Sequence, residues 1–107
     1  MICFDPRRQD EYFAFDYTGY LLLPYEDVYS FYTDSDDGSR LYIDGNLIVD
    51  NDGLHSLLEK EGTVPLAEGY HPFRVSYFNK TGDFDLKISI RSPLMKKEMI
   101  PGGMLFH

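Results

Sequence analysis

Tyr32-Thr33-Asp34-Ser35-Asp36-Asp37-Gly38-Ser39-Arg40-Leu41-Tyr42-Ile43-Asp44-Gly45 is the stretch that decides how this chain folds. It holds four carboxylates and two glycines, of which three carboxylates and one glycine lie between strand-like runs at 28–33 and 40–43. Asp44-Gly45-Asn46 then leads into a third run, 47–50, and Asp-Gly between apolar runs is a strong hairpin signal. A second acidic turn, Asp50-Asn51-Asp52-Gly53, follows. Turns need Gly for positive φ and Asx side chains that bond their own backbone, but they do not need this many carboxylates. Crowded carboxylates repel unless a cation or water screens them. The stretch is therefore either a cation and ligand site or a pair of solvated turns.

The same alternation extends outward in both directions. In 28–33, Val28, Ser30 and Tyr32 share one face, and Tyr29, Phe31 and Thr33 the other. Upstream, 12–17 alternates aromatic with smaller or polar residues. Thr18-Gly19 punctuates that run, and 20–23 continues it to Pro24. Downstream, Leu54, Leu57 and Leu58 stand at helical spacing, and 54–61 reads as a loop tucking leucines under the sheet. A short strand is predicted at 62–67 and a long one at 70–78, with Phe73, Val75 and Tyr77 on one face. A turn at 79–83 precedes a run in which Phe84, Leu86, Ile88 and Ile90 alternate; after Pro93 the chain reads as irregular. Short strands with regular turn signals predict an all-β sandwich or barrel.

Composition narrows the function. At 107 residues the chain is one domain, with a hydrophobic fraction of 43% that suits one modest core. A net charge of −8 disfavours nucleic acid and anionic membranes and leaves neutral ligands and cations. There is no apolar run of membrane-spanning length and no signal peptide at the start of this sequence, where Asp5, Arg7, Arg8 and Asp10 follow Met1 closely. The single cysteine, Cys3, forms no internal disulfide and has no neighbouring His to activate it.

Several motifs together resemble a known family. Tyr29-x-Phe31-Tyr32, the block 35–45, Leu47-Ile48-Val49-Asp50-Asn51 and Glu68-Gly69-Tyr70-His71-Pro72-Phe73-Arg74-Val75 are similar to the protective-antigen-fourteen (PA-14) domain, named for the anthrax toxin component. Tyr17-Thr18-Gly19-Tyr20-Leu21 and the closing Ile100-Pro101 with Leu105-Phe106-His107 fit the same pattern. The resemblance implies an all-β antiparallel sandwich or barrel over 11–107, with 1–10 as an extension or boundary segment. Full family domains are longer at the N-terminus, so one or two opening strands are expected to be missing or replaced by residues 2–10. The family occurs in exported glycosidases, adhesins, proteases and toxins, and several members bind carbohydrate. In its adhesin branch the aspartates that match Asp36 and Asp37 hold a calcium ion that also meets sugar hydroxyls.

Each candidate site residue also has a plain structural reading. Calcium takes several hard oxygen ligands, and Asp36 and Asp37 are the proposed metal ligands, with Asp34, Asp50 and Asp52 as helpers. The ligand-binding set is Asp36, Asp37, Asn51 and His55. The alternative for all of them is turn and hairpin chemistry. An EF-hand is excluded: starting from Asp34, its glycine would fall on Ser39 and its closing Glu on Gly45. His55, His71 and His107 are scattered without Cys partners, which argues against zinc. Arg40 is expected to pair with a nearby carboxylate. Tyr25, Tyr29 and Tyr70 are the tyrosines expected on the surface as a sugar-stacking platform. No carboxylate pair stands out as poised for glycoside hydrolysis, and there is no Gly-x-Ser-x-Gly elbow, so no catalysis is expected. Asn79-Lys80-Thr81 is a glycosylation sequon, relevant only to a secreted eukaryotic chain.

Two functions follow as expectations. The first is a non-catalytic, calcium-assisted carbohydrate-binding or substrate-access module of a larger exported carbohydrate-active enzyme or surface protein. Its partners would be a neutral glycan or the host's catalytic domain, in the extracellular space, periplasm or cell surface. The second is a structural or protein-interaction module with no small-molecule ligand.

Overall fold

The computed structural model describes residues 13–36, 38–52, 58–79 and 85–106. Along the chain run β1 (Phe13–Leu23), β2 (Asp27–Asp36), β3 (Gly38–Ile43), β4 (Asn46–Asn51), β5 (Leu58–Leu66), β6 (Gly69–Asn79), β7 (Asp85–Ser92) and β8 (Met95–Met99). A 3-10 turn (Gly102–Met104) and a two-residue strand, β9 (Leu105–Phe106), follow. The strands form two antiparallel sheets, in the orders β4-β3-β6-β1-β9 and β5-β2-β7-β8. This is the all-β sandwich that the alternation implied.

The period of two sorts each strand into a core face and an outer face. Tyr17, Leu21, Leu41, Phe73 and Val75 of the first sheet face Tyr29, Phe31, Ile88 and Ile90 of the second in one buried cluster. The hairpin between β3 and β4 turns on Asp44 (φ 55°) and Gly45 (φ 80°), two successive left-handed residues that match the twist of the flanking strands. Pairing passes from Leu41↔Val49 to Tyr42↔Leu47, so Ile48 is the extra residue of a bulge. Its carbonyl is aimed at Gly62 of β5, where any Cβ would fall on the Ile48 oxygen. The two sheets thus close against each other along the β4–β5 side.

Several sequence expectations are corrected. Thr18-Gly19 does not interrupt β1. Gly19 instead admits β9, since a Cβ there would strike the Phe106 carbonyl. β5 begins at Leu58, which is 42% exposed rather than tucked beneath the sheet. The segment after Pro93 is not irregular: β8 pairs with β7, and its Lys96-Lys97-Glu98 run is the charged pattern of an edge strand, which in sequence reads like a loop. Tyr29 is fully buried, not a surface tyrosine, because it lies on the core face of β2.

Candidate functional site

Two regions compete for function: the acidic corner between β2 and β3, and the outer face of the five-stranded sheet. At the corner the chain leaves one sheet at Asp36 and enters the other at Gly38. Ser35 and Ser39, both buried, join their hydroxyls at 2.8 Å across it. Beneath it lies Asn51, 1% exposed. Its amide nitrogen donates to the carbonyls of Leu58 (2.7 Å) and Thr33 (3.1 Å) and lies 3.4 Å from the Ser35 hydroxyl. Asn51 therefore brackets β4, β2 and β5 together under the corner. Asp36 ends the ladder of β2 directly opposite Asp85 of β7. Like charges in directly opposed positions destabilise a sheet unless something compensates them.

The other expected helpers lie apart from one another. Asp34 sits on the outer face of the four-stranded sheet, opposite Glu59 and Lys87. Asp50 and Asp52 sit on the outer side of the five-stranded sheet, bound to Arg40 at 3.4 Å and 2.9 Å. Side-chain parity separates these groups by more than the spacing of the two sheets, about 10 Å. The carboxylate of Asp52, then that of Asp50, raises the pKa of the Arg40 guanidinium. Among the described residues no three His, Cys, Asp or Glu side chains gather as a metal cluster. Asp37 and His55 lie outside the described residues.

The outer face of the five-stranded sheet carries a groove of about 540 Å³ lined by Thr18, Tyr20, Tyr42, Pro72 and Arg74, with Gly45 at its end. Arg74 lies over the Tyr42 ring, 5.1 Å from its centroid, and donates to Asp16 through two nitrogens at 3.0 and 3.1 Å. These contacts to Asp16 raise the Arg74 pKa. Tyr70, 61% exposed, meets Phe106 edge to face nearby. Of the three surface tyrosines expected, Tyr70 is open to solvent, Tyr25 is half-buried against Tyr29, and Tyr29 is enclosed. Sequence reasoning missed both Asp85 and the groove. Both depend on which strands become neighbours; the signal in the sequence is limited to outward parity at Thr18, Tyr20, Tyr42 and Arg74.

The family model for the PA14 domain matches residues 4–101. The chain is 31% identical over 91 residues to the anti-sigma-I factor RsgI3 of Acetivibrio thermocellus, covering 84% of this chain and 14% of that protein. An anti-sigma factor domain-containing protein from Clostridium clariflavum superposes with a TM-score of 0.81 at 31% identity, covering 87% of this chain and 32% of the other. A PA14 sugar-binding domain from an RTX adhesin superposes at 0.80 with 23% identity, covering 92% of this chain and 56% of the other. The chain thus spans a small part of the curated relative's length. No helix among the described residues is long and apolar enough to cross a membrane.

Proposed function

The chain belongs to the PA14 domain family, and from that membership we propose that it is a non-catalytic recognition module of a larger protein, binding neutral glycan with calcium at the corner between β2 and β3. The observation that carries this reading is the register that sets Asp36 against Asp85 where the chain crosses between sheets. A hard divalent cation offsets such a like-charge pair and takes oxygen ligands readily. Asp36 and Asp37 would hold the ion, with Asp85 as a further acidic neighbour. Calcium bound there supplies open coordination positions for vicinal hydroxyls. The chain's own contribution is rigidity: Asn51 and the Ser35–Ser39 pair hold the corner from beneath. Asp50 and Asp52, already paired with Arg40, do not join the ligand set in this reading.

The host we infer is an exported or surface-displayed regulatory protein, because the relatives near 30% identity are anti-sigma factors. A carbohydrate-active enzyme is the second choice of host. In either, the domain would sit outside the cytoplasm and present the corner to polysaccharide.

Calorimetry with calcium, alone and then with a panel of neutral glycans, tests the mechanism. Calcium should bind, raise the melting temperature and lose both effects on Asp36→Ala plus Asp37→Ala. Absence of calcium binding at millimolar concentration would sink it.

A protein-interaction role is favoured by one separate observation. β1 pairs with β9 only at Tyr20 and Leu21, so among the described residues 13–19 have a neighbouring strand on the β6 side alone. A strand edge without a neighbour accepts a partner strand. Hydrogen exchange at residues 13–19, with and without the remainder of the host protein, distinguishes this role from glycan binding.

A further inference from the structure

We propose that the outer face of the five-stranded sheet is a second saccharide subsite, independent of calcium, built from Tyr20, Tyr42, Thr18 and the Arg74–Asp16 pair. The ligand class rests on the glycan-binding reading above, but the site is separate from the corner.

Strand order builds this groove. Thr18 and Tyr42 both stand opposite Arg74, one on each side, so β1, β6 and β3 place Thr18, Arg74 and Tyr42 in one transverse row. The next row along the strands holds Tyr20 opposite Pro72, and Phe106 flanks Tyr20 on β9. Strand spacing and rise put the Tyr20 and Tyr42 positions roughly 12 Å apart. That span accommodates a short run of linked sugar rings. The groove volume of about 540 Å³ falls within the range of small-ligand sites.

The chemistry of the lining selects the ligand. A sugar ring offers a C–H face that rests on an aromatic ring and an edge of hydroxyls that both donate and accept. Tyr20 is 48% exposed and supplies an open aromatic face. Arg74 and Asp16 supply a donor and an acceptor side by side, held in plane by their own two hydrogen bonds. Because these two charges cancel, the groove attracts neither anions nor cations. On a chain with net charge −8, an anionic polymer is repelled as well. A neutral, hydroxyl-rich chain fits what remains.

The experiment is calorimetric titration of the intact chain with soluble cello-, xylo- and manno-oligosaccharides, in excess calcium and in excess chelator. The proposal expects binding that survives the chelator and the Asp36→Ala plus Asp37→Ala change. It also expects a loss of about tenfold or more on Tyr20→Ala and on Arg74→Met. Val28→Ala, at an exposed position on β2 of the other sheet, should retain the affinity and so serves as the folded control. Binding that vanishes with chelator and ignores Tyr20→Ala overturns this proposal and leaves the corner reading standing. The reverse pattern overturns the corner reading alone. Absence of binding by the unaltered chain under both conditions overturns both. Self-association of the chain that Tyr20→Ala abolishes, without saccharide binding, would make this face a copy-to-copy interface and overturn the proposal.

Discussion

The imidazole of His71 links β6 to the β3–β4 hairpin through Asp44: its Nδ1 lies 3.0 Å from both carboxylate oxygens, while its Nε2 lies 2.8 Å from the Ala67 carbonyl. The ring thereby ties Asp44 to the β5–β6 connection through its two nitrogens. Asp44 is itself held in the left-handed region, and its backbone N–H donates to the Pro72 carbonyl. The family-motif histidine is therefore a fastener for the turn beside the groove. His71→Ala should destabilise the domain by about 2 kcal/mol, since it removes the ring that links Asp44 to the Ala67 carbonyl. Asp44→Asn keeps a turn-compatible residue and should cost less. Thermal denaturation of the two variants checks the order.

Gly62 of β5 packs directly against Ile48 of β4. A Cβ there would meet the Ile48 carbonyl, a backbone atom with no freedom to swing aside. Gly62→Ala should therefore cost about 2 kcal/mol or more, the range of overpacked sites. Gly45→Ala meets no neighbour and should cost only the strain of its positive φ, about 1 kcal/mol. Chemical denaturation midpoints for the pair distinguish steric exclusion from backbone strain.

Asn51 anchors the corner from below, and its replacement should act on stability and on ligand binding together. Asn51→Leu removes the donor from the Thr33 and Leu58 carbonyls and should cost about 3 kcal/mol. If the corner binds calcium, the same variant should weaken calcium while leaving the sheet-face groove unchanged. Calcium titration beside a melting curve reads both effects.

Alkaline pH should loosen the core through Tyr29. Its hydroxyl donates to the Tyr25 carbonyl inside the fold. Burial, then the nearby Tyr25, raises its pKa above the ordinary tyrosine value. Folding thus favours the protonated form. The stability this provides is complete below about pH 10, the unfolded value, and is lost as pH rises through the higher folded value. Tyr29→Phe should flatten that alkaline fall, as measured by urea denaturation across a pH series.

The legible parts of this protein were those written within a few residues. Alternation in 28–33 assigned Tyr29, Phe31 and Thr33 to one face, and all three are buried. Asp44-Gly45-Asn46 announced a hairpin, and the chain turns there on Asp44 and Gly45, with Asn46 already in β4. Arg40 was expected to meet a carboxylate and meets two. β8 was illegible because an edge strand with Lys96, Lys97 and Glu98 has no buried face periodic enough to mark it. Tyr29 was misplaced because tyrosine alone does not say whether its hydroxyl finds water or a carbonyl.

By itself the sequence determined the fold class, the family and which residues of several strands share a face, because side-chain parity and turn conformation are local properties of the backbone. Tertiary structure alone decided that Asp34 and the Asp50–Asp52 pair lie on opposite outer faces, that Asp36 stands against Asp85, and that Tyr42, Arg74 and Thr18 share one row. Those placements follow from the strand orders β4-β3-β6-β1-β9 and β5-β2-β7-β8. Strand order is set by the non-local burial of one shared core, which no single stretch of the chain encodes.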